Sequence, residues 1–147
     1  MHFHNSVKSI RQIIPEEFSE AAVPIYVCPV QAGWPSPAED YLENSLDLNS
    51  LLVKNRPATF IVQVAGDSMT GLGIHDGDRL VVDKSLRPAP GRVVIASVGG
   101  EFAVKVLEKR GRRAFLVSRA EGYPEIEITD REDACIWGVV TYVLHPL

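Results

Sequence analysis

Cysteine is scarce in this chain: its 147 residues hold two, Cys28 and Cys135. Two are too few for the disulfide framework on which small secreted domains depend, so a reducing compartment is expected. Long apolar runs are missing too. Nowhere do about 18 apolar residues follow one another, and the opening MHFHNSVKSIRQIIPEEF lacks the apolar stretch and small-residue cleavage site of a secretory signal. No membrane association is expected, and the expected location is the cytoplasm. Positive charge is not in excess, with 15 Lys and Arg against 19 Asp and Glu and a net charge of −4. Non-specific affinity for nucleic acid comes from concentrated positive charge, so strong direct DNA binding is not expected. Histidines number four (His2, His4, His75, His145), and no Cys/His spacing resembles a zinc site. Neither a metal nor another cofactor is expected.

What is present is an ordinary globular balance, 46% apolar and 23% charged, in a length that suits one domain with a real core. Residues 1–32 read as an extended arm, because Pro15, Pro24 and Pro29 interrupt any helical period. The arm is slightly acidic, with Lys8 and Arg11 against Glu16, Glu17 and Glu20, and too broken to supply a helix-turn-helix. Residues 33–147 form the body. Ser36-Pro37-Ala38-Glu39 sets an N-cap, a first-turn proline and a capping-box carboxylate in register, predicting a short helix over about 37–44. Asp47 caps a second short helix through Leu48, Leu51, Leu52 and Val53, ended by Asn55-Arg56-Pro57.

From residue 58 the period changes to two. β-branched runs at 59–64, 79–83, 92–96, 102–106, 115–117, 126–128 and 136–140 are separated by Gly, Asp and Pro. Seven short strands without long helices between them predict a mainly β, mostly antiparallel domain.

Two of these strands carry the chemistry. The run 59–64 leads into Gly66-Asp67-Ser68-Met69, which projects a serine hydroxyl from a tight turn where backbone amides point at a reacting carbonyl. A serine in such a place is commonly turn chemistry alone. In Glu101-Phe102-Ala103-Val104-Lys105-Val106, alternation puts Phe102, Val104 and Val106 on one face and Ala103 with Lys105 on the other. Taken alone, Lys105 is a solvated surface lysine. Taken with Ser68, it is a general base: a desolvated lysine loses its proton easily enough to accept the serine's. The amides of Asp67 and Ser68 are the candidate oxyanion donors. A Ser68-His75-Asp76 triad is discounted, since residues seven and eight positions away across a Gly-rich turn project to solvent. The basic cluster Lys109, Arg110, Arg112, Arg113 reads as a solvated hairpin tip. The small pair Ala32-Gly33, between Pro29 and Pro35, is either a linker or an extended peptide open to a nucleophile.

Ala-Gly-Trp-Pro-Ser-Pro-Ala-Glu-Asp-Tyr at 32–41, Gly-Asp-Ser-Met at 66–69, Gly-Ile-His-Asp-Gly-Asp at 73–78, Glu-Phe-Ala-Val-Lys at 101–105 and Trp-Gly-Val-Val at 137–140 together resemble the LexA-like self-cleaving serine peptidases, in their UmuD/MucA-type branch. The resemblance runs from Val30 to the C-terminus. It implies a LexA C-terminal-like β-clip domain, Ser68 as nucleophile, Lys105 as general base, and self-cleavage at Ala32–Gly33 that releases the arm. It also implies stimulation by a RecA filament on single-stranded DNA during the SOS response, and a processed homodimer that joins a UmuC-like Y-family subunit as accessory to an error-prone translesion polymerase. The branch commonly has Cys-Gly where this chain has Ala32-Gly33. An alternative reading is a LexA-like regulatory binding module without a DNA-binding domain; a third, a signal-peptidase-like enzyme, is disfavoured by the lack of an anchor segment.

Overall fold

The computed structural model describes residues 7–12, 22–26, 32–33 and 42–147. Its order is β1 (Val7–Gln12), β2 (Ala22–Tyr26), β3 (Leu42–Asp47), α1 (Leu48–Leu52), β4 (Thr59–Val64), β5 (Arg79–Asp83), β6 (Val93–Val98), β7 (Glu101–Arg110), β8 (Arg113–Val117), β9 (Ile126–Glu127) and β10 (Ala134–Leu144). All seven strands expected from the alternation are present. β7 and β10 run longer than their apolar stretches, because each gains pairing partners along both edges.

Eight strands form one antiparallel sheet in the order β1-β4-β5-β10-β6-β7-β8-β9, and β2 pairs with β3 separately. The C-terminal strand β10 is therefore central, bonded to β5 on one side and β6 on the other. Its register shifts between Ile136 and Gly138 and again between Val140 and Tyr142, and such bulges increase twist and let a long sheet curl on itself. The tight link from β6 to β7 is Gly99-Gly100, with φ of 58° and 83°. Two successive positive φ values are what a primed hairpin turn demands, and glycine adopts them without steric cost.

The curled sheet buries side chains on both faces. Val62, Val64, Met69, Ile74, Leu80, Val82, Ile95, Val104, Val106 and Val140 form one core cluster; Val94, Ala96, Val98, Leu107, Leu116, Ile126 and Val139 form the other. β7 divides between them as alternation requires, and Phe102 packs with the first cluster beside Val104 and Val106. Its opposite face is not solvated, since Ala103 is 0% and Lys105 only 3% exposed.

Near the start of the described body the Asp47 cap forms as expected: its carboxylate accepts from the Asn49 amide at 3.1 Å and from the Ser50 hydroxyl at 2.9 Å. The helix expected over about 37–44 is corrected in part. Residues 42–44 lie in β3, where backbone pairing with β2 satisfies the amides and carbonyls that a helix would have bonded internally; residues 37–41 lie outside the described residues. Within the arm, β1 pairs antiparallel with β4, from Val7 opposite Val64 to Gln12 opposite Phe60, and so takes up the edge of the large sheet.

Candidate active site

β4 ends at Val64, and the chain then makes a loop that folds back to start β5. Val64 N–H donates to the Asp78 carbonyl (2.8 Å) and Gly77 N–H to the Val64 carbonyl (2.9 Å), closing the loop at its base. The Asp76 carboxylate accepts from Gly66 N–H at 2.8 Å. Met69 and Ile74, almost wholly buried, anchor the loop in the first core cluster. Ser68, between these anchors, is completely buried.

Lys105 reaches the serine from the middle of β7. Its Nζ lies 3.1 Å from Ser68 Oγ across 37 residues of sequence. It also donates to Ser118 Oγ at 2.7 Å and stands 5.8 Å from the centre of the Tyr123 ring. Burial pushes the amine down from 10.5 to about 8, because an ammonium stripped of water is disfavoured against the neutral amine. No carboxylate holds the Lys105 charge by an ion pair among the described residues. At pH 7 about one lysine in ten is then neutral. That fraction is set to take a proton from the adjacent hydroxyl.

Ser118 is the member that sequence reading missed. Val106 pairs with Val117 and Leu107 with Leu116, and the same register carried one step further sets Ser118 opposite Lys105. The residue after it holds the Ser68 loop: Arg119 N–H donates to the Ser68 carbonyl (2.8 Å), and Gly71 N–H donates to the Arg119 carbonyl (2.6 Å). A Cβ on Gly71 would stand on that carbonyl oxygen, so only glycine permits the approach. One segment therefore positions both the amine and the hydroxyl. Its only trace in the sequence is a serine directly after an apolar strand, which is common and carries no signal without register.

The other expected residues divide clearly. Asp67 is exposed, and no acceptor for its amide or for that of Ser68 is found among the described residues. Asp76 is occupied with Gly66, and the Nδ1 of His75 is directed at Asp78, so the Ser68-His75-Asp76 triad does not form. Ala32 and Gly33 are exposed, and among the described residues nothing lies within 4 Å of where a Gly33 Cβ would stand. No contact joins them to Ser68 among the described residues. In the basic cluster, Arg110 bonds Glu125 through both terminal nitrogens at 2.7 Å and Arg113 bonds Glu127 at 2.9 and 2.6 Å. Both guanidinium groups lie over Phe115. At this hairpin tip two of the four basic side chains, Arg110 and Arg113, are held in ion pairs.

A family model described as Peptidase S24-like matches residues 24–141. The chain belongs to that family. Its curled antiparallel sheet with few short helices fits the LexA-like β-clip fold expected of an S24-like peptidase. Among similar proteins, ImpA of Salmonella typhimurium is 44% identical over 122 residues, 83% of each chain. SamA of Salmonella typhimurium strain LT2 is 42% identical over 134 residues, covering 90% of this chain and 93% of SamA. MucA of Escherichia coli is 41% identical over 129 residues, 86% of this chain and 88% of MucA. The UmuD/MucA-type resemblance of the motifs is borne out by these relatives. Among the described residues, no helix of this S24-like chain is long and apolar enough to cross a membrane.

Proposed function

We propose that this chain is a self-cleaving serine peptidase of the SOS response, with Ser68 as nucleophile and Lys105 as general base. The observation that carries the reading is the buried Lys105 Nζ, lowered to about 8, at 3.1 Å from the buried Ser68 Oγ. In the neutral amine the Ser68 hydroxyl donates to the Nζ lone pair. Ser68 Oγ then bonds the Ala32 carbonyl carbon while Lys105 takes the hydroxyl proton. The amides of Asp67 and Ser68 receive the oxyanion. Collapse breaks the Ala32–Gly33 bond, and the Lys105 ammonium returns its proton to the departing Gly33 amine. Water, activated by the again neutral lysine, hydrolyses the acyl-serine and frees residues 1–32.

The exposed Ala32–Gly33 pair is chemically open to this attack, and β1 on the sheet edge supports an arm that docks as a strand before release. The relatives support the wider role. We infer that a RecA filament on single-stranded DNA stimulates cleavage, and that residues 33–147 then act in the cytoplasm as a homodimeric accessory subunit of a UmuC-like Y-family translesion polymerase. The acidic net charge suits a protein brought to DNA by such partners rather than by its own electrostatics.

Incubation of purified protein at alkaline pH, followed by intact mass measurement, tests the chemistry. Fragments ending at Ala32 and beginning at Gly33 are expected, and both Ser68→Ala and Lys105→Ala abolish them. Cleavage that persists in either variant overturns the dyad, and absence of cleavage in the parent chain favours the LexA-like binding module instead.

A further inference from the structure

Away from the serine, a second cluster of side chains has no part in this chemistry. The register that pairs Leu144 with Arg79 brings His145, just past β10, opposite Asp78, just before β5. His145 Nδ1 and Asp78 Oδ1 lie 2.6 Å apart across 67 residues of sequence. From the other side, the 75–78 turn is closed by His75 N–H on Asp78 Oδ2 (2.8 Å) and Asp78 N–H on the His75 carbonyl (3.1 Å). This leaves His75 Nδ1 facing Asp78 Oδ2 at 3.8 Å. That nitrogen is buried and has no hydrogen-bond partner among the described residues, and a buried polar atom without a partner costs stability unless something fills the gap. The two imidazole rings lie side by side with centres 4.8 Å apart.

We propose that His75, Asp78 and His145 bind a divalent late first-row cation, with zinc as the reference ion. One donor atom from each residue lies within 4.8 Å of the others. Zinc bonds of about 2.0–2.2 Å to imidazole nitrogen and carboxylate oxygen need tetrahedral donors roughly 3.3–3.5 Å apart. The adjustment falls on the rings, whose side chains are 46% and 41% exposed, while the carboxylate is fixed at 2% exposure. Two imidazoles with one carboxylate select zinc, nickel, cobalt or copper over magnesium and calcium, and leave a further position to solvent. A hydrogen-bonded His145–Asp78 pair alone accounts for one imidazole and leaves the buried His75 nitrogen unexplained. The cation ties the end of the central strand to the 75–78 turn, whose Asp76 holds the nucleophile loop through Gly66. The signal is absent from the sequence because the ligands converge only through strand register.

The test uses the untagged full-length Ser68→Ala chain carrying His2→Ala, His4→Ala, Cys28→Ser and Cys135→Ser, which removes the N-terminal histidines and both thiols as competing ligands. Titration calorimetry with zinc is expected to give one ion per chain, and saturating zinc to raise the unfolding midpoint by about 5–10 °C. Cobalt(II) is expected to give a visible absorption band at the same stoichiometry. His75→Ala, His145→Ala and His145→Gln are each expected to weaken zinc at least about tenfold. The glutamine variant keeps a hydrogen bond to Asp78 and so separates lost ligation from lost packing. Absence of binding in the parent overturns the site. So does affinity unchanged in either His75→Ala or His145→Ala, or affinity retained in His145→Gln.

Discussion

Lys105 permits a thermodynamic test that does not depend on catalysis. In the unfolded chain its amine titrates near the ordinary 10.5, whereas in the folded chain burial lowers it to about 8. Below about 8 both states are charged, and the fold bears the whole cost of a desolvated ammonium. Between the two values the unfolded chain holds a proton that the folded chain has lost, so unfolding free energy rises with pH across that window. Combining the two titrations gives about 2–3 kcal/mol of added stability between pH 7 and 10. The measurement compares Ser68→Ala with Ser68→Ala/Lys105→Met by urea unfolding at one protein concentration. Methionine fills much of the same volume without a charge, and every other lysine and tyrosine is common to both chains. Ser68→Ala is expected to gain about 2–3 kcal/mol more than the double variant over that range. Parallel pH profiles refute the reasoning, because they mean that Lys105 titrates alike in both states and is not desolvated.

Three further outcomes follow from the site's geometry. Ser118→Ala removes the acceptor that holds the Lys105 ammonium at 2.7 Å; self-cleavage is expected to slow about a hundredfold, with the midpoint of its pH–rate profile moved to lower pH and the rate restored by Ser118→Thr. A slowed rate with an unmoved profile contradicts this. Gly71→Ala sets a methyl group on the Arg119 carbonyl and is expected to destabilise the fold by about 1–3 kcal/mol in thermal denaturation, while also slowing cleavage through the lost hold on Ser68. Asp76→Ala frees the Gly66 amide and is expected to cost about 1 kcal/mol, with Asp76→Asn closer to the parent; equal stability of all three chains excludes the proposed brace.

Short-range pattern made the body of the sheet legible. β4 and β5 coincide with the β-branched runs at 59–64 and 79–83 because apolar alternation and strand length there agree. Ser68 and Lys105 were visible as chemistry, and their approach to 3.1 Å follows from strands that the alternation located. β3 was misread because a local capping signal suggested a helix where pairing with a segment some twenty residues earlier decides the backbone. Ser118, Gly71 and the His75–Asp78–His145 cluster were illegible for one shared reason. Each acquires meaning from cross-strand register or a backbone approach, and neither quantity is encoded within a window of neighbouring residues.

The central place of β10 also governs timing. Ser68 follows β4 and Lys105 lies on β7, and in the sheet those halves are joined through β5, β10 and β6. Of the described strands, the joining one is the last to be synthesised. Until Ala134–Leu144 has been made and has slotted between them, the two halves share no strand pairing, and the direct Arg119–Ser68 and Lys105–Ser68 bonds must hold the proposed dyad without the central strand. Under the proposed self-cleavage, synthesis order itself acts as a safety catch that favours delivery of the uncut chain.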